Sequence, residues 1–191
     1  MYYGLGLCNK HYIRLRKHGN PMYNRTPKKG YIKNGIGYIP LSQGMVAKVD
    51  PEDMLWLSDF FWVLVKGRGG FRACRASRKN GKKTLIQMSR MIMPPSKKRI
   101  IDHINHDTLD NRKSNLRVCT FSQNCWNRKG IGGFSRFKGV CRSRKQWAAY
   151  ITFSGARKYL GTFSKETEAA MSYNNAAKKY FGSYALLNRV P

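Results

Sequence analysis

Apolar positions along this chain fall into two regimes. From residue 37 they come in short stretches, and residues 37–41, 45–49, 61–65, 70–76 and 83–88 each read as a strand. Between the second and third, Asp50-Pro-Glu-Asp opens a short helix, with Asp50 as N-cap and Pro51 at the first helical position. Lys79-Asn-Gly-Lys82 is a hairpin turn, and Pro94-Pro95 ends the block. Residues 99–103 and 115–119 are two more strands around a polar loop, and a helix begins near Ser122, giving the order strand, loop, strand, helix. After a hinge from Gly130 to Gly133 come strands over 138–142, 147–153 and 158–163. Helical spacing takes over in 165–180, where Ala169, Ala170, Tyr173, Ala176, Ala177 and Tyr180 make an apolar stripe. That stripe fits one face of the last sheet and leaves the other face free. Residues 1–36, basic and broken by Pro21, Pro27 and Gly30, read as an irregular arm.

The 191 residues suit one or two small domains, and 41% hydrophobic with 13% aromatic content is enough to bury a core. Charge changes the picture more: 37 Lys plus Arg against 9 acids give a formal net charge of +28. A folded protein with that much self-repulsion is matched to a polyanion, nucleic acid first. The longest apolar run, 60–65, is too short to span a bilayer, so no membrane partner is expected. Met-Tyr-Tyr-Gly-Leu-Gly-Leu gives way at once to Cys8 and Lys10, so no signal peptide is expected either. Five cysteines without paired spacing read as free thiols in a reducing, intracellular setting.

The acids are informative by their scarcity. None precedes Asp50, none lies between Asp59 and Asp102, and none between Asp110 and Glu166. A carboxylate on a surface that meets phosphates is either turned away or holding a metal. Asp102-His103 pairs a hard oxygen ligand with an imidazole that is largely neutral at working pH, which are the two groups phosphodiester hydrolysis requires. Neighbouring side chains on a strand point to opposite faces, so a shared site requires the strand to end there; the polar Asn105-His106-Asp107 fits such an end.

The string from Asp102 through Asn115-Leu-Arg117, followed by Ser122-Gln-Asn-Cys-Trp-Asn-Arg128, resembles the HNH endonucleases, specifically the phage and intron homing type on a ββα-metal core. The resemblance implies Asp102 and Asn124 as ligands of one divalent metal, Mg²⁺ or Mn²⁺ rather than Zn²⁺. It further implies His103 as general base and Asn115 as the residue that orients it. The implied products carry 5′-phosphate and 3′-hydroxyl ends, and the implied setting is the cytoplasm of a bacterial host, with a phage-borne gene. His106 stands where the family commonly has Gly, and Ser89 where it often has His; His106 reads as a loop residue or phosphate contact. Asp107 and Asp110 read as loop-ordering acids. Upstream, Cys8-x-x-His11 and His18-Gly-Asn-Pro resemble half of a small zinc element; zinc needs four ligands, so a truncated basic arm is the expectation rather than structural zinc.

Phe137-Lys-Gly-Val, Trp147-Ala-Ala-Tyr-Ile, Tyr159-Leu-Gly-Thr-Phe and Ala177-Lys-Lys-Tyr-Phe-Gly resemble the APETALA-type DNA-binding domain of plant ethylene-response factors. In that family the sheet face away from the helix enters the major groove. With Trp147, Ala149 and Ile151 inward, Tyr150 and Thr152 point outward, joined by Arg142, Arg144, Lys145, Arg157 and Tyr159. Cys141, Ser143, Tyr150 and Thr152 replace residues that read bases in the plant domains, so a looser, phosphate-driven contact is expected. Arg112, Arg117, Arg128, Lys129 and Lys138 are further nucleic-acid candidates.

The expected architecture is α+β. A basic arm spans 1–36, and a ββα-metal nuclease domain preceded by short antiparallel strands spans 37–129. A three-stranded antiparallel sheet on one helix spans 130–191. The expected function is metal-dependent endonuclease action on double-stranded DNA by a monomer or weak dimer, nicking or homing. The competing reading is a DNA-binding regulator with a decayed nuclease core; an RNA-binding protein follows from charge alone.

Overall fold

The computed structural model describes residues 2–3, 6–22, 26–67, 69–130 and 133–191. Residues 1, 4, 5 and 23–25 of the expected arm, and 131–132 of the expected hinge, lie outside the described residues. By internal contact the chain divides into two compact units, one of residues 1–94 with 105–116 and one of residues 95–104 with 117–191. The divide expected at 129/130 does not coincide with this partition.

In the first unit, β1 (Tyr2–Tyr3) and β2 (Leu7–Cys8) form a hairpin that leads into helix α1 (Asn9–His18). The segment expected to be irregular therefore carries a helix of ten residues. It ends at Gly19, whose left-handed backbone (φ 67°) lets its N–H return to the Leu15 carbonyl. Strands β3 (Tyr31–Lys33), β4 (Ile36–Pro40) and β5 (Val46–Val49) form an antiparallel sheet in that order. Helix α2 (Pro51–Leu57) follows, with Pro51 in its first turn as expected. Asp50 precedes it but its side chain does not cap it; the carboxylate accepts the backbone N–H of Lys113 at 2.7 Å.

Strands β6 (Val63–Gly67), β7 (Gly70–Lys79) and β8 (Lys82–Gln87) make a second antiparallel sheet, followed by helix α3 (Met88–Ile92), which the sequence pattern does not predict. Ile39, Leu41, Ala47, Val49, Leu57, Trp62 and Met88 are the center of a common core.

In the second unit, β9 (Ile100–His103) pairs with β10 (Leu116–Cys119), and helix α4 (Phe121–Trp126) follows. Thr120 and Gln123 form a capping box that fixes the start of α4, one residue before Ser122. Strands β11 (Val140–Ser143), β12 (Gln146–Phe153) and β13 (Ala156–Phe163) form an antiparallel sheet, and α5 (Glu166–Phe181) packs against it through Ala169, Ala170, Tyr173 and Ala177. The strict alternation expected in β12 fails at one point. A register shift between Ala149 and Tyr150 buries Ala148 and Ala149 in succession and leaves Tyr150 half-buried.

The second core also takes in α4. Trp126 stacks on Phe181 with ring centroids 4.7 Å apart, lies 6.0 Å from Phe153, and accepts at its carbonyl from Lys138 Nζ and from the Leu186 N–H. The helix of the strand, loop, strand, helix unit is thus built into the core of the C-terminal sheet.

Candidate nuclease site

Asp102 and His103 are the last two residues of β9. Asp102 is buried (6% exposed) and His103 half-buried, as the alternation of a strand end requires. A buried carboxylate is costly without partners. Arg117 of β10 supplies two, its Nε and Nη2 donating to Oδ2 of Asp102 at 2.9 and 2.8 Å. A third donor, Nδ2 of Asn127, reaches the same oxygen at 3.0 Å and also lies 3.3 Å from the His103 carbonyl oxygen. All three bonds converge on Oδ2, so Oδ1 is the oxygen they leave to other partners. Arg117 Nη1 donates to the Ser183 carbonyl at 2.7 Å, and its guanidinium lies 4.4 Å from the Tyr184 ring center.

Asn124 sits half-buried on α4, its backbone N–H on the Thr120 carbonyl. Asn127, the residue after the end of α4, is itself 5% exposed. The motif alone does not point to it, although an Asn three residues beyond Asn124 shares its helix face, and that spacing is the signal the sequence offers.

The loop 105–116 belongs to the first unit and is ordered by its own side chains. Asn115 is buried; its Oδ1 accepts the Asn105 N–H at 2.9 Å and its Nδ2 donates to the Asp110 carbonyl at 2.8 Å. Asn115 thereby clasps both ends of the turn that directly follows His103 in the chain. Asp110, 1% exposed, is gripped by Arg112 through Nε at 2.8 Å and Nη2 at 2.7 Å, with Asn105 Nδ2 at 3.1 Å. Burial would raise this carboxyl, but the Arg112 fork outweighs it and holds the group below its ordinary value. Asp107 accepts the Leu109 N–H, so both acids order the loop, as expected. His106 adopts φ 67°, the left-handed region that Gly enters most easily, which accounts physically for a Gly at this place in similar motifs. Strand β5 anchors the loop through Lys48, which bridges Asp110. Lys113 closes it on the acids of α2, 3.0 Å from Asp53 and 3.3 Å from Glu52. Asp50, Glu52 and Asp53 are close enough to one another to hold a cation, and the Lys113 ammonium pairs with two of them.

Three of the cations expected on nucleic acid are engaged internally. Arg112 and Arg117 neutralise buried acids, and the half-buried Lys138 ties the segment leading into β11 to the end of α4, burial lowering its ammonium to about 8. Arg128 and Lys129 are exposed, Arg128 over the Phe121 ring at 5.6 Å. Arg142, Arg144, Lys145, Thr152, Arg157 and Tyr159 are exposed on the C-terminal sheet. Arg157 stacks 4.0 Å over Tyr150, whose ring meets Tyr159 at 5.4 Å; Arg142 lies 4.8 Å over Trp147, which packs against the core. At the N-terminus, Cys8 Sγ and His11 Nδ1 are 3.2 Å apart.

Comparison with known proteins bears on one stretch directly. Residues 94–125 match a family model described as HNH endonuclease. That stretch takes in β9, the loop, β10 and all of α4 but Trp126. Nucleases of this family use a divalent metal ion. An uncharacterized HNH endonuclease of Acanthamoeba polyphaga mimivirus is 34% identical over 91 residues, 47% of either chain. An ethylene-responsive transcription factor of Arabidopsis thaliana is 34% identical over 96 residues, 48% of this chain and 28% of its own. A dehydration-responsive element-binding protein of the same plant is 42% identical over 69 residues, 34% and 20% of the two chains. The matches thus span less than half of each of these relatives. No solved structure matches significantly.

Proposed function

We propose that this protein is a metal-dependent DNA endonuclease that cuts one strand per binding event, placed on duplex DNA by its C-terminal sheet. One observation carries the reading: within the nuclease-like stretch, a buried carboxylate at a strand end is held by three bonds to a single oxygen, beside a half-buried histidine.

The donor set fits a hard divalent cation. Asp102 would offer Oδ1 while Arg117 and Asn127 fix Oδ2, and Asn124 would add an amide oxygen; all-oxygen donors favour Mg²⁺ or Mn²⁺ over Zn²⁺. When bound, the ion supplies charge neutralisation at the phosphate and the departing oxygen. His103 accepts, at an imidazole nitrogen, the proton of the attacking water. The water oxygen bonds to phosphorus as the bond to the 3′-oxygen breaks, and the departing 3′-oxygen takes a proton from solvent water, leaving 5′-phosphate and 3′-hydroxyl ends. Asn115 acts through the backbone, fixing the turn that follows His103. One Asp102-His103 pair per chain supports a nick; a double-strand break requires two chains or two events. The exposed Arg144, Lys145, Thr152, Arg157 and Tyr159 serve the sheet's contact with DNA.

A second reading, a binding protein with a silent nuclease core, is favoured by the Arg117–Asp102 pair, which already neutralises the carboxylate. Supercoiled plasmid incubated with Mg²⁺ or Mn²⁺ separates the two. Wild type should convert it to open circle and His103→Ala should not; equal conversion by both, or by neither, rejects the catalytic assignment.

A further inference from the structure

Strands β7 and β8 continue beyond the core that their inner ends help to build. Ala73 and Cys74 are buried, whereas Ala76, Arg78 and everything from Asn80 to Leu85 are exposed. At roughly 3.3 Å per residue, the four residues of β7 from Ala76 to its end extend about 13 Å. The turn is tight: Asn80 and Gly81 have φ of 50° and 74°, the pair of left-handed residues that matches the twist of a two-stranded ribbon.

The register at this tip opposes like charges. Arg78 faces Lys83 directly across the antiparallel pair, and Lys82 precedes Lys83 at the start of β8. Opposed like charges destabilise a hairpin, and the chain offers no carboxylate between Asp59 and Asp102 to relieve them locally. Among the described residues, the ion pairs found involve Lys48, Arg112, Lys113 and Arg117, never Arg78, Lys82 or Lys83. Leu85, 53% exposed, shares the face of Arg78 and Lys83 and stands opposite Ala76, so an apolar step backs the cations.

We propose that the β7–β8 ribbon is a second DNA-contacting surface, separate from the C-terminal sheet, which enters the major groove and sets Arg78 and Lys83 on the phosphates. The groove is about 12 Å wide and admits a two-stranded ribbon, and phosphates supply the anions this register lacks. The inference deepens the nuclease reading by adding a grip on the substrate in the first unit.

The test uses the full chain in the His103→Ala background, without divalent metal, so that it reads binding whether or not the protein proves to be a nuclease. Anisotropy of a labelled duplex between 50 and 200 mM salt gives affinity and its salt slope. Replacing Arg78 and Lys83 by Ser should reduce the slope by about 1.8, with the affinity deficit narrowing roughly tenfold across that range. Thermal melting should be unchanged or higher, because a repulsion has been removed. Arg78→Glu alone, which pairs with Lys83 and so strengthens the hairpin, should weaken DNA binding further. An unchanged slope in the double variant, wild-type affinity in Arg78→Glu, or a defect seen on structured RNA and not on duplex DNA overturns the proposal.

Discussion

Replacing Trp126 by Ala is the sharpest test of how the nuclease-like helix is held. The side chain is half-buried, stacked on Phe181 with an interplanar angle of 11° and packed near Phe153. Fully buried Trp→Ala changes cost about 3–5 kcal/mol, and half-burial brings this to about 2–3 kcal/mol. The aromatic stack adds roughly 1 kcal/mol, for a total of about 3–4 kcal/mol. Against a domain stability of about 5–15 kcal/mol this is a large fraction. With a urea slope of about 2 kcal/mol per molar, the unfolding midpoint should fall by roughly 1.5–2 M, read by far-UV circular dichroism. Trp126→Phe retains the stack and should lose about 1 kcal/mol or less. The same reasoning predicts that residues 1–133 alone do not keep α4. A helix of six residues is not stable by itself, and the truncation removes Phe153, Phe181, Lys138 and Leu186 together. An unshifted midpoint in Trp126→Ala, or amide protection of α4 in the truncated chain, refutes the shared core.

Two further perturbations probe the same unit. Gly139 has φ 77°, and an added Cβ would lie 2.1 Å from the Tyr173 ring and 2.6 Å from the Tyr150 carbonyl oxygen, so Gly139→Ala should lose at least about 4 kcal/mol or fail to fold. Gly155→Ala is the control: φ is 78° but nothing lies within 4 Å, and backbone strain alone should cost about 1–2 kcal/mol; similar melting of the two variants would contradict the packing. Lys138→Met addresses pH. Burial lowers the Lys138 ammonium to about 8 from an ordinary 10.5, so between these values the unfolded chain binds more protons and folding gains as pH rises. Wild type should therefore gain stability relative to Lys138→Met from about pH 8 to 10.5, by on the order of 1 kcal/mol after discounting for solvent. The difference removes the opposing effects of Tyr173 and the buried thiols, which the two proteins share; a flat difference would show an ammonium at home in water.

What the chain reveals unaided depends on whether a residue's partner is local. Strands announce themselves through short apolar stretches, and α4 through Thr120 and Gln123, a capping pair three residues apart. β3 is exposed at all three residues and exists by pairing with β4 and by the Tyr31–Tyr38 stack, so its own pattern carries no signal. In β12 the shift at Ala149 breaks the period of two on which the inward and outward assignment rested. The site shows the same division. Asp102, His103 and Asn115 are legible as a motif, and spacing places Asn127 on the face of Asn124, yet that Arg117 and Asn127 both bind the buried carboxylate follows from distances in the fold. Net charge fails for the same reason. A total of +28 makes every cation look like a phosphate ligand, whereas the fold divides them by what they face. Arg112 and Lys113 face acids in the first unit, where they order the loop, and Arg117 faces Asp102 in the second; Lys138 faces a helix terminus. Arg78 and Lys83 face each other, and such mutual repulsion, kept in a tight hairpin, is a stronger pointer to a polyanion than the total charge.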